Sequence, residues 1–206
     1  MRKGEIMVSQ FDFVFDIDET LVSGDVIYEA SNILFNEKTI DRIYTNKDCM
    51  DWELSNLPEC LVKKVREFYH HPFYAVWNKE IIKGCYSFIY ALHHLGFNLA
   101  LLTARPIELI KPTVQYFNQI FPDIFDQDNI FFSNKNGKKQ YLEILKPDFF
   151  FDDNPEYCKQ AKDLGIETYL VSNSYTSWNH GKAKEIGCEE IKNVCFFDLE
   201  HILKNK

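Results

Sequence analysis

Asp16 and Asp18 stand two positions apart in the run Asp16-Ile17-Asp18-Glu19-Thr20, directly after Phe11-Asp12-Phe13-Val14-Phe15. The apolar run reads as a buried strand. The pair therefore falls at a strand's carboxyl end, in a crowded loop. Two carboxylates held that close resist joint ionisation unless a cation sits between them or one keeps its proton. That arrangement is costly for structure alone, where it would be only a solvated turn. It suits chemistry: one carboxylate as nucleophile, the other as acid and base, and a metal beside them.

Two more strand ends carry polar clusters. Thr103 follows Leu99-Ala100-Leu101-Leu102, and Asp152-Asp153 follow Phe149-Phe150-Phe151. Lys138-Lys139 open a helix just before the latter. In an open parallel sheet, ligands sit beyond the carboxyl ends of the strands. The three segments are thus expected to converge on one crevice. Each also has a plain structural reading. Asp152-Asp153-Asn154-Pro155 is a good helix N-terminus, Thr103 suits a cap before Pro106, and helical lysines are common on surfaces.

The elements that must position these groups alternate along the chain. After the first strand, helical spacing appears at Val26, Ile27, Ala30, Ile33 and Leu34, and again from about Pro58 to Tyr69 before His71-Pro72 breaks it. We read 23–79 as an inserted helical lid, and 1–22 with 80–206 as the core. In the core, Ile81–Leu95 reads as a helix closed by Gly96. Strands follow at Leu99–Leu102, Ile130–Phe132, Phe149–Phe151 and Thr168–Val171, with a short last one at Cys195–Phe197. Helices are expected from Pro106 to Phe117, Lys138 to Leu145 and Pro155 to Leu164. This alternation predicts an α/β fold, a doubly wound parallel sheet with helices on both faces.

Bulk properties narrow the function. The chain has 206 residues, 46% of them hydrophobic, enough for one full domain with a small appendage. A formal charge of −8 argues against a nucleic-acid polymer as partner, which needs a basic face. It leaves room for a small anionic substrate held by a metal and a few lysines. The six cysteines form no CxxC pair and read as reduced thiols of a cytoplasmic protein. Met1 to Gln10 has no apolar signal region, and no apolar stretch approaches the ~20 residues that span a membrane. The pairs His70-His71 and His93-His94 lack ligand spacing. The oligomeric state is open, a homodimer included.

Taken in register, these residues resemble the haloacid dehalogenase superfamily of phosphotransferases. Its four motifs match Asp16–Thr20, Thr103, Lys138 and Asp152-Asp153. A closer resemblance, to the cytosolic 5'(3')-deoxyribonucleotidase branch, rests on Leu102-Thr103-Ala104-Arg105-Pro106, Phe151-Asp152-Asp153-Asn154-Pro155, Ser174-Tyr175-Thr176-Ser177-Trp178-Asn179 and Asp51-Trp52. The resemblance implies a Rossmannoid core with a small helical cap after the first strand. It also implies Mg²⁺-dependent hydrolysis of a phosphomonoester through an aspartyl-phosphate. Asp16 would be the nucleophile and Asp18 the general acid/base. Thr103 and the backbone N–H of Ala104 would hold phosphate oxygens, and Lys138, or Lys139 in its place, would balance their charge. Asp16 and Asp152 would ligate Mg²⁺ with carboxylates and Asp18 with its carbonyl, while Asp153 orients the shell. A nucleoside monophosphate is the favoured substrate.

Trp52, Phe73 and Tyr74 are candidates for stacking on its base, although lid aromatics equally suit a small lid core. Other readings are a phosphatase acting on a sugar phosphate, a phosphoprotein or a nucleic-acid end, and a silent Mg²⁺- and phosphate-binding module. One residue departs from the branch: Glu19 replaces the usual Gly after the second Asp.

Overall fold

The computed structural model describes residues 11–51, 53–133, 137–173, 177–198 and 200. The described residues open with strand β1 (Phe13–Phe15) and a two-residue strand β2 (Val22–Ser23). Helices α1 (Val26–Asn36) and α2 (Glu59–His70) follow, then a π turn at Phe73–Trp77 and strand β3 (Glu80–Ile81). From there strands and helices alternate: α3 (Cys85–His94), β4 (Leu99–Thr103), α4 (Ile110–Ile120), β5 (Ile130–Phe132), α5 (Lys139–Leu145), β6 (Phe149–Asp152), α6 (Pro155–Asp163), β7 (Glu167–Val171), α7 (Ala183–Ile186) and β8 (Glu189–Ile191).

β5-β4-β1-β6-β7-β8 form one sheet in that order, and each neighbouring pair is parallel. A parallel sheet covered on both faces needs strands without polar alternation, and β1, flanked by β4 and β6, is buried throughout. Successive side chains point to opposite faces. Phe13 and Phe15 pack with Leu99, Leu101, Phe151 and the Phe117–Phe121–Phe125 ladder, while Val14 packs with Ala100, Leu102, Phe150 and Leu142. Because all six strands run one way, the residues after β1, β4 and β6 emerge at the same edge. The order of chain addition reverses about β1, which makes this edge a crevice.

Between β2 and β3 lies a helical segment with an apolar cluster of its own, built on Val26, Ala30, Leu61, Val65 and Phe68. β2 and β3, at the two ends of this segment, pair antiparallel. Among the described residues, no helix is long and apolar enough to cross a membrane.

Two expected elements differ. The helix expected over Ile81–Leu95 starts at Cys85, because Ile81 pairs with Val22 and Gly84 turns the chain at φ +93°. A Cβ there would meet the Cys195 sulfur at 2.7 Å. Among the described residues the last strand is Glu189–Ile191, not Cys195–Phe197. Asn193 instead caps a 3₁₀ turn at Val194–Phe196, its side chain accepting from the Cys195 N–H at 3.1 Å, and Phe197 drops edge-on against Phe13, Phe151 and Tyr169. An edge strand starting with two exposed glutamates leaves no apolar signature.

Candidate active site

The carboxyl ends of β1, β4 and β6 open on a cavity of about 300 Å³, bounded on its far side by the helical segment. Asp16, Asp18, Thr103, Ala104, Asp152 and Asp153 all line it. The loop after β7 braces its floor. Asn179, fully buried, donates to the carbonyls of Asp153 at 2.6 Å and Val171 at 2.9 Å, and Asn173 donates to the Glu19 carbonyl at 2.5 Å.

Lys138 caps α5 and is completely buried. Its ammonium donates to Asp16 Oδ1 and, at 2.6 Å, to Asp152 Oδ2. Lys139 is exposed, so the lysine that reaches the carboxylates is Lys138. The other oxygen of Asp152 accepts the Asn154 N–H at 2.8 Å, and Asn154 caps α6 through the Glu156 N–H at 2.9 Å. The expected cap and the acidic cluster therefore coexist in one turn. Thr103 is also doubly used. Its hydroxyl accepts the Arg105 N–H at 3.2 Å, and its carbonyl accepts the N–H and hydroxyl of Ser133.

Asp16, Asp152 and Asp153 bring one carboxylate oxygen each within 4.8 Å of one another. Burial is the largest influence on all three and pushes them upward: Asp16 to about 7, Asp152 above the usual range, and Asp153 well above it. Lys138 works the other way. Burial opposes its charge, yet Asp152 and Asp16 hold it protonated, its pKa above the ordinary lysine value. One ammonium against three carboxylates leaves a charge deficit. A hard divalent cation binds oxygen donors of this kind and would supply it, so the donor set fits such an ion.

Asp18 has a different environment. Arg105 grips it with both fork nitrogens, Nε to Oδ2 at 2.7 Å and Nη2 to Oδ1 at 2.9 Å, and Lys79 lies 3.5 Å from Oδ1. Burial would raise this carboxyl, but Arg105 and then Lys79 outweigh it and hold it at about 2. The two carboxylates are therefore driven in opposite directions, Asp16 up by burial and Asp18 down by Arg105 and Lys79 despite burial, and a cation beside Asp16 would bring it back toward the ionised form.

Two of the base-stacking candidates sit elsewhere. Tyr74 stacks flat on Phe68 at 3.7 Å in the helical segment's cluster, and Phe73 is half exposed. Neither lines the cavity, because the π turn directs that stretch onto α2. Trp52 lies outside the described residues. Tyr69, Tyr157 and Trp178 line the space instead, with Asn46 and Asp51.

Residues 9–195 match the sequence model of the family described as 5' nucleotidase, deoxy (pyrimidine), cytosolic type C protein. The chain belongs to this family. No curated protein sequence matches it. Among solved structures, it is similar to a haloacid dehalogenase-like hydrolase from Streptococcus pneumoniae, at 15% identity over 97% of this chain and 100% of that one, with a TM-score of 0.62. A haloacid dehalogenase family hydrolase from Deinococcus radiodurans, solved with bound phosphate and sodium, aligns at 11% identity over 91% and 93% of the two chains, with a TM-score of 0.61. At such identities the likeness shows the fold, that of the haloacid dehalogenase hydrolases.

Membership in the cytosolic type C 5' nucleotidase family makes this chain a phosphatase of the haloacid dehalogenase type, acting on a small phosphorylated substrate. Within that frame the residues missed by sequence reasoning stand out. Arg105 lies inside a motif already singled out, yet its contact with Asp18 spans 87 positions, and no local pattern announces it. Lys79, buried at the start of β3, is as hidden.

Glu19 adopts φ +58°, the left-handed conformation that explains why glycine is usual there. One carboxylate oxygen faces Lys79 at 3.6 Å, and the other is buried without a hydrogen-bond partner. Burial, partly countered by Lys79, lifts this group to about 7. Its folded value lies above the unfolded one, so the stability linked to it is full below about pH 4.5 and lost as the pH rises to 7. Glu19→Gln removes that loss. The variant should melt within a degree or two of the native protein at pH 4.5 and several degrees above it at pH 8 in chelator, for a gain of at most about 3 kcal/mol. Thermal unfolding at the two pH values checks this; an equal shift at both would contradict it.

Proposed function

We propose that this protein is a Mg²⁺-dependent phosphomonoesterase that works through an aspartyl-phosphate on Asp16, with a (deoxy)ribonucleoside monophosphate as substrate. The observation that carries the reading is the meeting of Asp16, Asp152, Asp153 and Thr103 at one cavity, from segments far apart in sequence, with buried Lys138 behind it bonded to both Asp16 and Asp152. The family description supports the nucleotide, and a space lined by Tyr69, Tyr157 and Trp178 suits a flat base.

In this reading an Asp16 carboxylate oxygen attacks phosphorus as the bond to the leaving oxygen breaks. Lys138, Thr103 and the Ala104 N–H hold the phosphoryl oxygens and balance their charge. Asp18 protonates the departing oxygen. Arg105 and Lys79 keep it ionised in the free protein, so it must gain this proton once substrate is bound. Asp18 then takes a proton from the water that attacks phosphorus, which frees inorganic phosphate and restores the Asp16 carboxylate. A Mg²⁺ ion, held by Asp16, Asp152 and the Asp18 carbonyl with Asp153 orienting the shell, would supply electrophilic charge to the phosphate. The segment 23–79 acts as a lid on the core formed by 1–22 and 80–206, and excludes bulk water once substrate is bound.

A substrate panel tests the assignment. With Mg²⁺ present, dUMP and dTMP should be hydrolysed with higher kcat/KM than sugar phosphates, and EDTA should abolish turnover of both. Equal or better use of sugar phosphates would retire the nucleotide.

A further inference from the structure

We infer that Arg105 is a positioning residue for proton transfer: its guanidinium fixes the plane of the Asp18 carboxylate so that one oxygen faces the leaving group. This inference rests on reading Asp18 as the acid/base. Three observations support it. The contact is two-pronged, with both bonds within 2.9 Å. A fork of this kind defines an orientation as well as a distance, which a lysine cannot do. Arg105 is itself fixed. It is 6% exposed, its Nη1 donates to the fully buried Thr113 hydroxyl on α4 at 3.1 Å, and its N–H donates to Thr103. Asp18, by contrast, lies in the loop after β1 with a side chain 30% exposed, and Lys79, 3.5 Å from Oδ1, offers it a point charge rather than a fork.

The chemistry fits the role. Arginine keeps its proton at every working pH, so Arg105 orients Asp18 without competing as an acid. The two bonds occupy one lone pair on each carboxylate oxygen; Lys79 lies 3.5 Å from Oδ1, and the second lone pair of Oδ2 is the one that can face the leaving oxygen or water. The same α4 hydroxyl that anchors Arg105 ties the acid/base to the helical layer, on an arm separate from the lysine that serves Asp16.

The test compares kcat/KM for two probes on the full-length protein with Mg²⁺. p-Nitrophenyl phosphate releases a phenolate that needs no proton, and glycerol 2-phosphate releases an alkoxide that does. Because kcat/KM covers only steps through phosphoenzyme formation, it isolates the proton donated to the leaving group. Arg105→Gln and Arg105→Lys should each lose about a hundredfold with glycerol 2-phosphate and only about threefold or less with p-nitrophenyl phosphate, with unchanged inhibition by inorganic phosphate. Thr113→Val, which leaves the guanidinium in place, should show a smaller loss of the same selective kind and remains informative should the Arg105 variants fail to fold.

Asp18→Asn is the reference and should be at least as selective. Equal losses on both probes with weakened phosphate inhibition would make Arg105 a phosphate ligand and overturn the proposal. Full activity of Arg105→Lys with glycerol 2-phosphate would overturn it too, since charge without the fork would suffice. An unselective Asp18→Asn would show that the reading of Asp18 had failed, and the inference with it.

Discussion

Replacing Asp16 with Asn is expected to cut turnover at least about a thousandfold while leaving the protein folded. The amide keeps the shape and one acceptor oxygen for Lys138, but it cannot attack phosphorus. Its effect on stability should be small or favourable. Burial lifts the Asp16 carboxyl to about 7, above its unfolded value of 3.8, so the ionised group costs stability that is lost progressively between those pH values. In chelator at pH 8, Asp16→Asn should therefore melt at or above the native temperature. Loss of activity without loss of fold separates a chemical role from a structural one. Activity within tenfold of native would show that another group makes the bond to phosphorus.

The largest expected structural effect belongs to Lys138→Met. Methionine fills most of the volume but removes the cation that, among the described residues, touches both Asp16 and Asp152. Breaking a buried ion pair from one side typically costs about 3–5 kcal/mol, because the surviving charges stay buried and unpaired. For a chain of this length that is a fall of roughly 10 °C in Tm. Turnover should also drop by about 10²–10³, the usual cost of losing one preorganised donor to a developing charge. The two losses part company when Mg²⁺ is added. A bound divalent cation neutralises the stranded carboxylates and stabilises the fold by mass action, so the gap in Tm should narrow, whereas turnover should not return. Calorimetry with and without EDTA reads the first, a phosphate-release assay the second. A gap in Tm that ignores Mg²⁺ would mean that the carboxylates do not bind it.

Much of this site was legible in the sequence because each acidic cluster ends an apolar strand. Phe13–Phe15 and Phe149–Phe151 need cover on both faces, which forces a parallel sheet and brings Asp16 and Asp152 to one edge. Lys138 was legible by its spacing before the third strand, but its complete burial was not, since a helix-opening lysine is ordinarily solvated. Arg105 and Lys79 were invisible for a different reason. Their meaning lies in contacts made across the fold with Asp18, and residue type alone does not distinguish them from surface cations. Phe73 and Tyr74 were ambiguous in the sequence because burial and stacking draw on the same residues. Tyr74 satisfies its ring against Phe68 and never reaches the cavity. Glu189 and Glu190 hid β8, an edge strand whose exposed start carries charge where a central strand would carry valine or isoleucine.

The central claim is that Asp16 becomes covalently phosphorylated during turnover. Its most direct measurement is peptide mass analysis of protein quenched in acid within the first turnover of p-nitrophenyl phosphate, whose leaving group needs no proton, with Asp18→Asn used alongside to slow the second step. The account predicts a phosphoryl group on the peptide containing Asp16, more abundant in Asp18→Asn and missing from Asp16→Asn. Rapid release of product with that peptide unmodified at every time point, or with the phosphoryl group on another residue, would contradict it.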